Sequence, residues 1–234
     1  MLGKMILAGM DVARLNFSHG TYEAHEATLL AVREAEKAWE KPIAVLQDLC
    51  GPKIRTGPMQ DGAIRLLAGE VLVIQAEPVD GTVDRISTIT PEIIADLRVG
   101  DPVLLDDGLL ELRVLKEGAT EVHCEVITGG TLKSSKGINL PQTALSLPSI
   151  TEKDWQDLDW GLSHSIDYVA LSFVRSAEDI WRIKKYIKAS GKRDLKVVAK
   201  IEKPEAVQNI REIVEVADAI MIARGDMGVE LPAA

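Results

Sequence analysis

Short apolar runs separated by segments of helical period occupy both ends of the chain, and the middle alternates apolar and polar positions as strands do. Residues 11–15, 43–47, 167–171, 197–202 and 219–223 read as buried strands. Thr21 is placed to cap a helix in which Leu29, Val32, Ala35 and Trp39 recur at helical spacing. A helix is expected near 151–163. Ser176-Ala177-Glu178-Asp179 has the form of a capping box opening another, with Ile180, Ile183 and Ile187 on one face, and Pro204 fits the first turn of a third. Strand–helix alternation of this kind is the signature of βα units around a parallel sheet.

Between 53 and 149 the pattern is all β. Asp106-Asp107-Gly108 separates Val103-Leu104-Leu105 from Leu109-Leu110-Glu111-Leu112 as a hairpin turn would, and Gly129-Gly130 offers another tight turn. Pro52, Pro58, Pro141 and Pro148 lie near the edges of this stretch. The chain therefore divides into an α/β domain, residues 1–52 and 150–234, and a compact β domain inserted at 53–149. Five parallel strands do not close an eight-stranded barrel, so the sheet is open or part of the fold lies elsewhere.

Composition narrows the function classes. With 234 residues and 46% hydrophobic positions the chain can bury a sizeable core. A formal charge of -9 disfavours nonspecific nucleic-acid or anionic-membrane binding, so any phosphate must be met by local basic residues. No apolar run approaches the roughly 20 residues that span a bilayer, and residues 1–10 make no convincing signal peptide, so a cytoplasmic protein is expected. Cys50 and Cys124 have no metal-type spacing and read as free thiols.

The chemistry gathers at strand ends. In a strand, side chains two apart share a face, so Lys200 and Glu202 project together, and Asp226 follows the next buried strand. A cation beside two carboxylates suits a divalent metal bound through oxygen and an anionic substrate. Arg14, Asn16 and Asp48 fall at the C-terminal ends of other strands, the face on which β/α barrels and open α/β sheets build their sites. A Lys-x-Glu pair alone is more often a solvated strand edge, Arg224-Gly225-Asp226 alone is a turn, and Asp107 serves its hairpin first. His25, His123 and His164 carry no role.

Together the motifs resemble those of the pyruvate kinase family. The resemblance rests on residues 8–20, containing Arg14-Leu15-Asn16-Phe17-Ser18-His19-Gly20, and on Gly51-Pro52-Lys53-Ile54-Arg55-Thr56-Gly57 and Lys136-Gly137-Ile138-Asn139-Leu140-Pro141. It continues through Leu171-Ser172-Phe173-Val174-Arg175, Lys200-Ile201-Glu202 and residues 224–230. The blocks occur in family order over essentially the whole chain. The resemblance implies a partial (β/α)8 TIM barrel with an inserted small all-β lid, and transfer of the phosphoryl group of phosphoenolpyruvate to ADP. It implies that Glu202 and Asp226 hold Mg2+ or Mn2+, that Lys200 and Arg14 act on the transferred phosphoryl group, and that Gly225 and Asp226 help bind substrate. Arg14, Asn16, His19, Arg55 and Lys136 are its nucleotide-binding positions.

Two departures from the family pattern matter. Leu49 and Lys53 stand where potassium-dependent members usually have Thr and Glu, so an ammonium near Asn16, Ser18 and Asp48 is expected to replace K+. The resemblance also implies a first barrel strand before residue 1, and two more strands and a C-terminal domain after residue 234. On that reading the isolated chain is expected to be poorly active or inactive and prone to association, the complete protein being a homo-oligomer. A catalytically silent fragment serving only as a binding or assembly module is the alternative. A metal-dependent aldolase or lyase is a third reading, which the β insert and the Arg14 block argue against.

Overall fold

The computed structural model describes residues 1–192 and 194–231. A short helix, α1 (Leu2–Leu7), opens the chain and buries Ile6. Its six residues are too few for a periodicity to declare itself. β1 (Val12–Asn16), α2 (Tyr22–Trp39) and β2 (Ala44–Asp48) follow, with the Thr21 hydroxyl accepting from the Ala24 N–H at 3.3 Å to cap α2.

The chain then runs through β3 (Ala63–Leu66), β4 (Val71–Gln75), β5 (Arg85–Ser87), α3 (Ile93–Asp96) and β6 (Pro102–Leu105). β7 (Leu110–Lys116), β8 (Glu121–Thr128), β9 (Gly130–Lys133) and β10 (Ile138–Asn139) complete the β-rich stretch. After it come α4 (Glu152–Ser163), β11 (Tyr168–Leu171), α5 (Ala177–Ala189) and β12 (Lys196–Ile201). The last elements are α6 (Pro204–Gln208), α7 (Ile210–Val216), β13 (Ala219–Ile222) and α8 (Arg224–Glu230).

Contacts divide the chain into two units, Met1–Pro52 with Ser149–Ala223, and Lys53–Pro148 with the segment from Arg224 onward. Among the described residues of the first unit five strands form one parallel sheet in the order β1-β2-β11-β12-β13. Strand order equals chain order, without the reversal of a doubly wound sheet, so this unit is an open part of a β/α barrel. Val197, Val198 and Ala199 are buried, as strands covered on both faces require. The expected box at Ser176 forms, Asp179 accepting from the Ser176 N–H at 3.0 Å, and α4 opens on a second one that was not foreseen, the Asp154 carboxylate accepting from the Thr151 N–H at 2.8 Å. All the strand C-termini lie along one edge, with Asn16 beside Asp48 in register.

The second unit holds, among the described residues, a six-stranded sheet in the order β10-β6-β7-β8-β4-β5 and a two-stranded β3-β9 pair. Alternate positions of β8, Val122, Cys124 and Val126, join Leu72, Ile74, Leu105 and Leu112 in its core. The 106–109 loop forms the expected hairpin, with Asp106, Asp107 and Gly108 all at positive φ. Gly129-Gly130 does not make a hairpin turn, since β9 leaves β8 to pair with β3. A Cβ on Gly129 would sit 2.6 Å from the Leu66 carbonyl oxygen, so glycine there serves a close backbone approach.

α8 also differs from the expected division, which gave all of 150–234 to the α/β domain. It groups with the β-rich unit because Glu230 accepts from the Asn139 side-chain amide at 2.9 Å and Val229 lies against Gly108.

Both cysteines are free thiols. Burial pushes Cys124 up to about 12, leaving almost no thiolate at neutral pH, whereas Cys50 is half-buried. A colorimetric thiol titration is expected to find one fast-reacting thiol per native chain and two after denaturation.

Candidate active site

At the C-terminal edge of the parallel sheet four charged side chains meet. β1 supplies Arg14, β2 ends in Asp48, β12 carries Lys200, and Glu202 lies just past its end. The Arg14 guanidinium donates to Asp48 Oδ2 from Nε at 2.6 Å, with Nη2 at 2.5 Å from the same oxygen. Lys200 Nζ lies 3.2 Å from Asp48 Oδ1 and 2.9 Å from Glu202 Oε1, and donates to Ser172 Oγ at 2.7 Å. Glu202 Oε2 accepts from the Phe173 N–H at 2.8 Å. The two carboxylates are each 1% exposed and Lys200 is 8% exposed, while Arg14 remains half open to solvent.

Two cations and two carboxylates at this depth form a nearly neutral cluster, the arrangement in which burial of charge is tolerable. Burial alone lowers the affinity of Lys200 for its proton, but Glu202 and Asp48 outweigh it and hold the ammonium above the ordinary lysine pKa. The native state therefore binds this proton more tightly than the unfolded chain does. That contribution to stability is complete below the ordinary lysine value and is lost as pH rises through the raised one.

The loop after β1 carries the neighbouring positions. Asn16 Oδ1 accepts from the Ser18 N–H at 3.1 Å, the His19 N–H donates to the Asn16 carbonyl at 3.2 Å, and the Phe17 N–H to the Asp48 carbonyl at 2.9 Å. His19 is exposed. Asn16, Ser18 and His19 thus share one turn at the end of β1. Leu49 is buried beside Asp48, its N–H bonded to the Ala170 carbonyl at 3.0 Å, and its side chain offers no oxygen to a cation.

In the β-rich unit, entry and return strands bring Arg55 and Lys136 side by side. Arg55 bridges to Gly137, donates to the Ser135 carbonyl at 2.9 Å, and the Thr56 N–H donates to the Lys136 carbonyl at 2.8 Å. Lys136 Nζ pairs with Asp106 Oδ1 at 2.7 Å. Lys53 is exposed in the same unit. Gly225 and Asp226 are exposed in the first turn of α8, which groups with this unit rather than with Glu202.

Sequence reasoning gave no role to Ser172 and Phe173 individually, although they sit within a motif it singled out. It also missed the Asp48–Lys200 pair. Only the strand order, which sets β11 between β2 and β12, shows that the residues after β11 bridge the two. Among the described residues no group of three or more His, Cys, Asp or Glu side chains is gathered as a metal site. The donors on offer are Glu202, whose oxygens each keep a lone pair beyond the contacts above, and the exposed Asp226.

The family model described as pyruvate kinase, barrel domain, matches residues 1–234. Pyruvate kinases of Staphylococcus saprophyticus and Staphylococcus aureus are each 44% identical over 234 residues, covering 99% of this chain and 40% of the relative. The crystal structure of a pyruvate kinase from Cryptosporidium parvum superposes with a TM-score of 0.93 at 37% identity, covering 99% of this chain and 49% of that one. The chain thus spans about two-fifths of the length of the curated relatives it matches. Matched over its whole length by the barrel-domain model and with these relatives, the chain belongs to the pyruvate kinase family.

Proposed function

We propose that this chain carries the phosphoryl-transfer site of a pyruvate kinase, which moves the phosphoryl group of phosphoenolpyruvate to ADP and yields pyruvate and ATP. The observation that supports it most is the convergence of Arg14 and Lys200 on one carboxylate, Asp48, with Glu202 alongside. Two cations aimed at a single anionic position are what a dianionic phosphoryl group needs. Arg14, half open to solvent, turns to the incoming phosphoryl group. Lys200 neutralises charge as the group transfers and stabilises the enolate oxygen left behind.

Pyruvate kinases generally use Mg2+ or Mn2+, a hard cation that takes oxygen ligands, and the carboxylates of Glu202 and Asp226 are the residues assigned to it by the family motif. Such an ion, when bound, polarises the substrate carboxylate and enolate oxygens. Gly225 and Asp226 meet the substrate, while Arg14, Asn16, His19, Arg55 and Lys136 meet the nucleotide. Residues 1–52 and 150–223 act as the barrel and 53–149 as its lid. We place the protein in the cytoplasm and its complete form in a homo-oligomer; among the described residues no helix is long and apolar enough to cross a membrane.

Phosphorus NMR of phosphoenolpyruvate and ADP with magnesium tests the reading, which requires the γ-phosphate resonance of ATP to grow as phosphoenolpyruvate disappears. Manganese-dependent binding of phosphoenolpyruvate with no transfer favours a binding module instead, and pyruvate release or carbon–carbon cleavage without ADP favours a lyase. Lys53 in the monovalent-cation position leads to a further expectation. Replacing potassium by a large organic cation at constant ionic strength should leave the rate within about twofold, and loss of most activity contradicts the ammonium substitution.

A further inference from the structure

The residues directly after β11, Ser172 and Phe173, touch Lys200 in β12 and Glu202 just past its end, and their geometry is over-determined. Ser172 is 2% exposed, and its hydroxyl donates to the Leu49 carbonyl at 2.7 Å. That carbonyl is fixed in turn, because the Leu49 N–H is held by Ala170. With its one proton committed, the hydroxyl can only accept from Lys200, so the direction of the 2.7 Å bond between them is set. An ammonium has three donors, and here they face Ser172, Glu202 and Asp48 at 2.7, 2.9 and 3.2 Å.

Phe173 has φ +53°, a left-handed conformation that is a true outlier for an aromatic residue. Outliers of this kind persist only where the surroundings enforce them, and they concentrate at functional sites. The enforcement is visible. The ring packs so closely on Gly51 that a Cβ there would lie 2.6 Å from Phe173 Cδ2, and Lys203 Nζ sits 5.9 Å from the ring centroid. The turn's N–H is meanwhile spent on Glu202 at 2.8 Å.

We propose that the Ser172–Phe173 corner is the positioning element of this site, its hydroxyl setting the Lys200 ammonium and its backbone N–H setting the Glu202 carboxylate from one wedged turn. The proposal rests on the reading of Lys200 and Glu202 as working residues. Lys200 has a long, freely rotating stem, and Ser172 and Glu202 are its two shorter contacts. The bond to Asp48 is the longest of the three, so it is the one given up when Lys200 meets a phosphoryl group, while the corner keeps hold.

The test uses the full chain as wild type, Ser172→Ala and Ser172→Thr, without metal or substrate. The rate of acetylation of each lysine at one fixed pH is followed by mass spectrometry, with Lys184, paired with Asp218 at 3.0 Å away from the corner, as the internal control. Ser172→Ala is expected to raise the Lys200 rate by about tenfold while Lys184 stays unchanged, and Ser172→Thr to restore protection. An unchanged Lys200 rate, or Lys200 and Lys184 rising together, overturns the proposal. If the chain turns over, Ser172→Ala should also lower kcat by about tenfold with the KM for ADP unmoved, and a shift in KM alone overturns it. Failure of the wild-type chain to form ATP sinks the functional reading instead, and labelling decides the corner's role in either case.

Discussion

Replacing Lys200 with alanine is expected to remove pyruvate formation and to loosen the fold in the same stroke. The ammonium lies between Asp48 and Glu202, each 1% exposed, so its removal leaves two buried carboxylates against Arg14 alone, with one negative charge uncompensated. Breaking a buried pair in this way costs about 3–5 kcal/mol, which urea denaturation would register as a lower midpoint with an unchanged slope. The kinetic loss should reach about a thousandfold, since a buried cation facing the transferring group supplies about 4 kcal/mol of transition-state stabilisation. The two effects separate in a double variant. Adding Asp48→Asn removes the excess negative charge and leaves Arg14 facing Glu202 alone, so stability should partly recover while activity does not. If Lys200→Ala keeps both the midpoint and the rate, the cluster is neither a structural nor a catalytic centre.

The second large effect is expected at Asp154, which is fully buried in the first turn of α4. One carboxylate oxygen accepts from the Thr151 N–H at 2.8 Å and the Thr151 hydroxyl at 2.6 Å, and the other from the Gly51 N–H at 2.9 Å. It therefore caps a helix and at the same time pins Gly51, a residue at φ +68° just before the chain crosses into the β-rich unit. Asp154→Ala leaves two buried backbone donors unmet and should destabilise the chain by about 3 kcal/mol in urea. Asp154→Asn, which keeps one acceptor oxygen, should lose about half as much. Equal stability of the alanine variant and the wild type would show that neither bond matters.

How much of this was legible beforehand depended on the range over which each feature is encoded. The parallel strands and the Ser176 capping box were readable because alternation, period and cap chemistry are local. Lys200 and Glu202 were readable as a pair, because two residues apart on a strand is a statement about one face. Asp48 paired with Lys200 was not. Their side chains meet across an intervening strand, and that order is set by tertiary packing. Ser172 gave no signal, since a serine after a strand is ordinary until its hydroxyl is found between a carbonyl and an ammonium. Phe173 in the left-handed region ran against every local preference. Gly129 misled for a related reason: a glycine pair reads as a turn, but close approach to Leu66 asks for the same residue. The grouping of α8 rests on contacts such as Asn139 with Glu230, between two motifs far apart in the chain.

The central claim is that Arg14, Asp48, Lys200 and Glu202 form a phosphoryl-transfer site. Its most direct test is a coupled assay of pyruvate formation from phosphoenolpyruvate and ADP with magnesium, run on the purified chain and on its Lys200→Ala variant. The account predicts slow ADP-dependent pyruvate formation by the chain and its disappearance in the variant. Turnover that survives the loss of Lys200 would contradict it.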